Sequence, residues 1–240
     1  MNACLWLLCQ RKLSTSPHCC KGSSSPLWLR RQAKDPYVKA ARVENYRARS
    51  AFKLLEINQR HSLLRPGLVV LDAGCAPGSW TQVTVEAVNA GAGMRGQPVG
   101  SVVGFDKASS IQPLPGARLL SQADIQQAET SQRIRQALLG EPIDIILSDM
   151  APEATGVRVL DQERMADLLF CLIQNCLPML RPGGQLLAKF LAGRPLDGVR
   201  KELEARFQSV KIVKPGASRD DSSEAYFLAS QYLPDQDGPK

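Results

Sequence analysis

Val69-Val70-Leu71-Asp72-Ala73-Gly74-Cys75-Ala76-Pro77-Gly78-Ser79-Trp80 decides how this chain folds. A short apolar run rich in β-branched residues reads as a strand buried in a parallel sheet. It ends in an aspartate, and two glycines then bracket a tight turn. Ser79 can cap the segment that follows, where Val83, Val85 and Val88 suit a helix packed on the sheet. Strand, glycine turn and helix N-terminus together make an anion-ready ligand site at the carboxyl end of the strand. The glycines are spaced Gly-x-x-x-Gly with a proline between them, not Gly-x-Gly-x-x-Gly. That argues against a dinucleotide pyrophosphate and leaves room for a smaller charged ligand. The plain alternative is a strand-turn-helix with a structural role alone.

Downstream, apolar runs alternate with helical stretches. Strands are expected at Ser101–Phe105, ending at Asp106, and at 117–120, running on to Asp124. A fourth, Ile143–Leu147, leads to Asp149; a fifth, Gln185–Phe190, contains Lys189. Two more, Val210–Val213 and Glu224–Ala229, close the chain. Asp161 is placed to cap a long apolar helix that runs to Leu180. This alternation predicts one α/β domain over 34–235, Rossmann-like, with a mostly parallel sheet and helices on both faces. An acid about 30 residues past a glycine turn, at the end of the second strand, can bond ribose hydroxyls. Asp124 can read a base edge. The ligand that fits is one like S-adenosylmethionine, with its amino-acid end at the turn. Each aspartate by itself also reads as an ordinary loop cap.

The net charge of +7 resembles a nucleic-acid footprint until its distribution is read. Residues 1–34 hold six cations, Arg11, Lys12, Lys21, Arg30, Arg31 and Lys34, and no acid. The remaining 24 basic residues face 23 acidic ones, a nearly neutral body. The leader has a short apolar run (Ala3–Cys9), then basic residues and a serine patch at 23–25. That pattern fits a mitochondrial transit segment over 1–33 better than a secretory signal, which would put positive charge ahead of its apolar core. A basic tail that binds RNA is the other reading. Seven apolar residues cannot span a bilayer, so no membrane span is expected.

Cys4, Cys9, Cys19 and Cys20 lie in the leader; Cys75, Cys171 and Cys176 are scattered without zinc-ligand spacing. Buried thiols in a reducing compartment and no bound metal are expected. Asp35-Pro36 is a helix start. If one helix runs through 46–53, Arg42, Tyr46, Arg49 and Lys53 share a face suited to a nucleic-acid backbone, or simply to water.

Four segments taken together, Arg-Ser-Ala-Phe-Lys (49–53), the glycine turn, Ser-Asp-Met-Ala-Pro-Glu-Ala-Thr-Gly (148–156) and Ser-Arg-Asp-Asp-Ser-Ser-Glu-Ala-Tyr (218–226), resemble the FtsJ-type ribosomal RNA 2′-O-methyltransferases, their mitochondrial branch above all. The resemblance spans about residues 28–233. It implies a seven-strand methyltransferase sheet whose last strand is antiparallel. It also implies S-adenosylmethionine as methyl donor, held by Pro77, Gly78, Ser79, Trp80, Asp106, Asp124 and Asp149. The catalytic set carried over is Lys53, Asp149, Lys189 and Glu224. The substrate implied is a uridine ribose in large-subunit mitochondrial rRNA, naked or in a pre-ribosomal particle, met in the matrix by a monomer that supports ribosome assembly. The chain departs from the family pattern at two positions: Cys75 stands for the usual alanine, and Lys107 follows Asp106 where an apolar residue is usual.

The chemistry of the four residues stands beside that resemblance. Methyl transfer to a hydroxyl needs the oxygen aligned with the methyl carbon and its proton removed as the bond forms. A lysine amine is almost always protonated at neutral pH. A second ammonium, Lys53, favours proton loss from Lys189, whereas Asp149 and Glu224 oppose it and fix the amines in place. An ion-pair network without a catalytic part, and an rRNA-binding assembly factor whose turnover is secondary, are the alternatives. A methyltransferase of caps, proteins or small molecules is disfavoured, because the sequence has no added recognition domain.

Overall fold

The computed structural model describes residues 34–91, 93–192, 196–219 and 222–234. The leader and its cysteines lie outside them apart from Lys34, as do Asp220 and Asp221 of the 218–226 segment. The domain is built from the strands β1 (Val69–Ala73), β2 (Ser101–Phe105), β3 (Ala117–Leu120), β4 (Ile143–Ser148), β5 (Leu180–Leu191), β6 (Phe207–Val213) and β7 (Glu224–Tyr232). Its helices are α1 (Pro36–Val43), α2 (Ala51–His61), α3 (Ser79–Ala87), α4 (Ala128–Leu138), α5 (Arg158–Cys176) and α6 (Leu196–Arg206).

Seven strands form one sheet in the order β3-β2-β1-β4-β5-β7-β6. The first five are parallel, and β7 runs antiparallel to both β5 and β6. Period-two alternation splits the buried side chains between two cores. Leu71, Val103, Ile146 and Leu186 pack with α4, α5 and α6 on one face. Val70, Val102, Ile145 and Leu187 pack with α2 and α3 on the other. Helices therefore cover both faces, and strands buried on both sides read as continuous apolar runs. Chain order reverses at β1, whose neighbours are β2 and β4, so the carboxyl ends of these strands open a crevice.

Five local expectations are corrected. α1 and α2 are separate helices: Asn45 takes a left-handed φ of 59°, which asparagine tolerates, and the chain turns before Ala51. Arg42, Tyr46, Arg49 and Lys53 therefore share no helical face. Ser79 is the first helical residue of α3 and makes no cap bond; the cap is Gly78, at φ 112°. That φ strains any residue with a Cβ, so glycine is favoured there. Val157, not Asp161, caps α5. Asp161 sits in its first turn and accepts bonds from the backbone N–H (2.7 Å) and hydroxyl (2.6 Å) of Thr155. That helix ends at Cys176 and passes through a 3₁₀ turn, Leu177–Met179, into β5. β5 itself begins at Leu180, earlier than its apolar run suggests. The polar segment 181–184 bulges between the pairs Ile143–Leu180 and Ile145–Gln185, and Asp144 on β4 ion-pairs with Arg181 there.

Among the described residues no helix is long and apolar enough to cross a membrane. Cys75 and Cys176 are buried free thiols and Cys171 is half-buried. Burial pushes the Cys176 thiol up to about 12, so it stays protonated.

Candidate active site

A cavity of about 580 Å³ opens at the carboxyl ends of β1, β2 and β4. Gly74, Asp106, Asp124 and Asp149 line it, and Lys107 and Glu153 meet across its wall at 3.1 Å. Gly74 is held at φ 77° under Met150, where a Cβ would collide. The N–H groups of Gly74 and Cys75 both donate to the Phe105 carbonyl, tying the turn to the end of β2.

Asp106 braces the same turn. Its carboxylate accepts from Ala76 N–H (3.0 Å) and from Ala108 N–H (2.8 Å). Asp124 accepts from Gln126 N–H at 3.0 Å. Both are thus loop caps as well as cavity walls, and a carboxylate with about four acceptor positions keeps capacity for a ligand. Of the turn residues expected to hold a donor, Pro77, Gly78, Ser79 and Trp80 are not among those that line the cavity, although Ala76 just before them is. The Pro77 carbonyl accepts from Arg47 (3.1 Å), which also binds the carbonyls of Gln112 and Pro113. Ser79 Oγ lies 2.7 Å from Ser50 Oγ, and Trp80 Nε1 donates to the Ser50 carbonyl at 2.8 Å. The side chains of Ser79 and Trp80 are therefore spent on holding α2 against the turn.

Lys53, Asp149, Lys189 and Glu224 come from α2, the exit of β4, β5 and the start of β7, and the fold brings all four together. Lys53 Nζ pairs with Glu224 Oε1. Lys189 Nζ lies 3.1 Å from Asp149 Oδ1 and also donates to the Asp149 carbonyl. A fifth residue, not anticipated from sequence, joins the two pairs. The Tyr226 hydroxyl is 2.9 Å from Asp149 Oδ1 and 2.8 Å from Glu224 Oε1. With one proton to give, it serves one carboxylate at a time. Its signal was present in Glu224-Ala225-Tyr226, since residues two apart on a strand share a face. The Tyr226 ring stacks on Trp80 (centroids 5.6 Å apart), a contact worth about 0.5–1.5 kcal/mol beyond area burial.

Electrostatics follow from burial. Burial alone would raise Glu224, but the Lys53 ammonium beside it, with Lys189 further off, holds it below the usual carboxylate range. Burial, reinforced by Asp149 and Glu224, pushes the Tyr226 phenol far up, so it remains a donor. Asp72, beneath the turn, is fully buried; burial lifts it to about 7, with Asp149 and Asp106 adding to the rise and the Thr81 hydroxyl opposing it.

Of the cations considered for RNA, Arg49 donates to the Ala217 carbonyl and lies over the Tyr37 ring. Lys53 belongs to the cluster just described. Arg42 and Lys211 are exposed, and Lys214 donates to Ser222 O at 3.1 Å. Among the described residues no group of three or more His, Cys, Asp or Glu is arranged to hold a metal.

A Rossmann-like sheet with acids past the exits of β2, β3 and β4 and a largely buried Lys-Asp-Lys-Glu cluster defines the class: a methyltransferase of the doubly wound type. The family model described as FtsJ-like methyltransferase matches residues 46–232, and the chain belongs to that family. The mitochondrial rRNA methyltransferase 2 of Drosophila melanogaster is 42% identical over 212 residues, covering 88% of this chain and 84% of its own. A ribosomal RNA large subunit methyltransferase E of Parvibaculum lavamentivorans is 41% identical, covering 91% and 86%. A crystal structure described as a ribosomal RNA methyltransferase of Plasmodium falciparum superposes with a TM-score of 0.68 at 26% identity, covering 78% of this chain and 99% of that one.

Proposed function

We propose that this protein transfers a methyl group from S-adenosylmethionine to the ribose 2′-hydroxyl of a uridine in large-subunit mitochondrial rRNA. The observation that carries this reading is the continuous chain Lys53–Glu224–Tyr226–Asp149–Lys189 beside a carboxylate-lined cavity. The residues present fit the donor. Asp106 and Asp124 offer acceptors for ribose hydroxyls and an amine, and the acidic wall suits a cation. When bound, S-adenosylmethionine supplies an electrophilic methyl group.

The rest is the work of this chain's own residues. Lys189 accepts the 2′-hydroxyl proton at Nζ once its own ammonium proton is lost. Asp149 holds that amine through both its side chain and its carbonyl, which fixes direction and stabilises the ammonium that forms. Lys53, fixed by Glu224, adds a second ammonium to the same cluster. Tyr226 sets the spacing of the two carboxylates. Removing a general base costs about 10²- to 10⁴-fold, and lost orientation adds to that.

The substrate is supported by the relatives, which are named for ribosomal RNA, and by the mitochondrial relative together with the acid-free basic leader. These support import into the matrix with removal of about residues 1–33, action on rRNA or a pre-ribosomal particle, and work as a monomer. A role in ribosome assembly can accompany turnover; the fully assembled cluster favours an active enzyme over a purely structural factor. The test is methylation of mitochondrial rRNA by the purified protein with labelled S-adenosylmethionine, alongside Lys189→Ala. Label on the rRNA that vanishes in the variant supports the reading; label that persists overturns it.

A further inference from the structure

Asp72 sits at the centre of this architecture, and the chemistry above makes no use of it. Its side chain is fully buried between Gly104 of β2 and Leu147 of β4, on the face that packs against α3. One carboxyl oxygen, Oδ2, accepts the Thr81 hydroxyl from α3 at 2.6 Å. The other, Oδ1, is buried with no hydrogen-bond partner. The groups acting on it from neighbouring elements are the Thr81 hydroxyl on α3, the Cys75 thiol in the turn, Asp106 past β2 and Asp149 past β4. The two charged ones are both negative, and the cation beyond them, Lys189, is paired with Asp149. A buried carboxyl with one hydrogen bond, two anionic neighbours and no cationic partner favours its neutral form. Gly74, two residues along, lines the cavity, so a ligand there adds its charge a short way from Asp72.

We propose that Asp72 is a proton-linked positioning residue: it holds a proton while the cavity is empty and loses it to solvent when a cationic sulfonium donor binds, so that its anion then balances the donor's charge. The inference rests on the S-adenosylmethionine reading above. The balance is simple: the carboxyl O–H bond breaks, the proton passes to a buffer base, and no electrons are transferred. Methyl transfer then removes the sulfonium charge, leaving S-adenosylhomocysteine with no net charge. The carboxylate loses its counter-charge and takes a proton back, which favours product release. The burial-driven rise to about 7 puts this exchange in the physiological range. Each pKa unit by which the donor lowers Asp72 appears as a tenfold gain in donor affinity across the titration.

Calorimetric titration of the intact protein, in buffers of different ionisation enthalpy, counts the protons. At about pH 7 the wild type should release roughly 0.4 proton on binding S-adenosylmethionine, if binding lowers Asp72 by about one unit, and clearly less on binding S-adenosylhomocysteine. Donor affinity should rise several-fold from about pH 6 to about pH 8, while product affinity stays nearly level. Asp72→Asn should abolish the release and flatten the donor profile. Thr81→Val, which removes the bond that favours the charged form, should move the profile to higher pH; it serves as the second variant should the first fail to fold. Equal proton release for donor and product, release that persists in Asp72→Asn, or a Thr81→Val profile that does not move would each overturn the proposal. If the wild type binds S-adenosylhomocysteine and S-adenosylmethionine with no heat and no saturation, the donor reading itself falls, and this inference with it.

Discussion

Lys189 is held at two points by one residue, and that arrangement decides what its substitution should do. Lys189→Ala should lose at least 10²-fold in single-turnover methylation while donor binding persists, because Asp106 and Asp124 are held by their own loop N–H groups and do not depend on the amine. Lys189→Arg keeps the charge but cannot give up a proton near neutral pH, so it should fail almost as badly. An active arginine variant would show that charge, and not proton transfer, is what the position supplies. Tyr226→Phe keeps the ring stacked on Trp80 and removes only the hydroxyl shared by Asp149 and Glu224. The expected loss is smaller than for Lys189→Ala, with folding unchanged; a loss as large would make the phenol a direct participant. Two carboxylates of this site should respond to pH in opposite senses. Glu224 is depressed, so its pairing with Lys53 is present above the ordinary glutamate value and is lost as pH falls through the lower folded value. The stability gap between wild type and Glu224→Gln should therefore shrink on acidification. Asp72 is raised, so the folded state binds more protons than the unfolded chain between about pH 4 and about 7, and stability falls as pH climbs through that window. Denaturant unfolding of Asp72→Asn across the window should show its stability rising relative to wild type.

Strands and helix ends differ in how far the sequence reveals them. β1, β2, β4 and the 185–190 part of β5 were legible because a strand buried on both faces needs an apolar run, whereas β3, a half-buried edge strand that carries Arg118, was legible from its place before Asp124. The Lys-Asp-Lys-Glu cluster was legible for a related reason: Asp149 and Glu224 lie where apolar runs end or begin. Helix caps were not. Gly78 caps α3 with Arg47, thirty-one residues earlier, lying against it, and no local pattern carries that contact. The break at Asn45 likewise depends on Gln82, which accepts from Arg47 N–H at 2.8 Å and donates to the Asn45 carbonyl at 3.0 Å. With that break, the basic residues around it do different jobs. Arg42, exposed in the last turn of α1, is free to meet a phosphate. Arg42→Ala should flatten the log–log salt dependence of rRNA binding by about one unit. Arg49→Ala should do more than that, since Arg49 also anchors the 214–219 loop through the Ala217 carbonyl, which Glu56 holds from its N–H side at 3.1 Å. An unaltered slope in both variants would move the RNA path to Lys211 and Lys214.

At the scale of the whole molecule, a nearly neutral body follows residues 1–34, which carry most of the excess charge. Removing residues 1–33 from a tagged protein should leave it outside mitochondria; arrival without them would place the address elsewhere in the chain. The body brings four chemical groups from α2, β4, β5 and β7 to one end of a sheet. They gather at the end of the sheet where the reversal of strand order opens the cavity, so the proposed donor site and the proposed catalytic cluster share one topology. That linkage is the central claim, and mapping the methyl group tests it most directly. Undermodified large-subunit mitochondrial rRNA is incubated with the purified protein and methyl-labelled S-adenosylmethionine, then cleaved with mild alkali, which cannot cut after a ribose whose 2′-oxygen is methylated. One uridine that gains label and alkali resistance with the wild type, and neither with Lys189→Ala, is the predicted result. Label on a base, or a resistant ribose that still appears with Lys189→Ala, would contradict it.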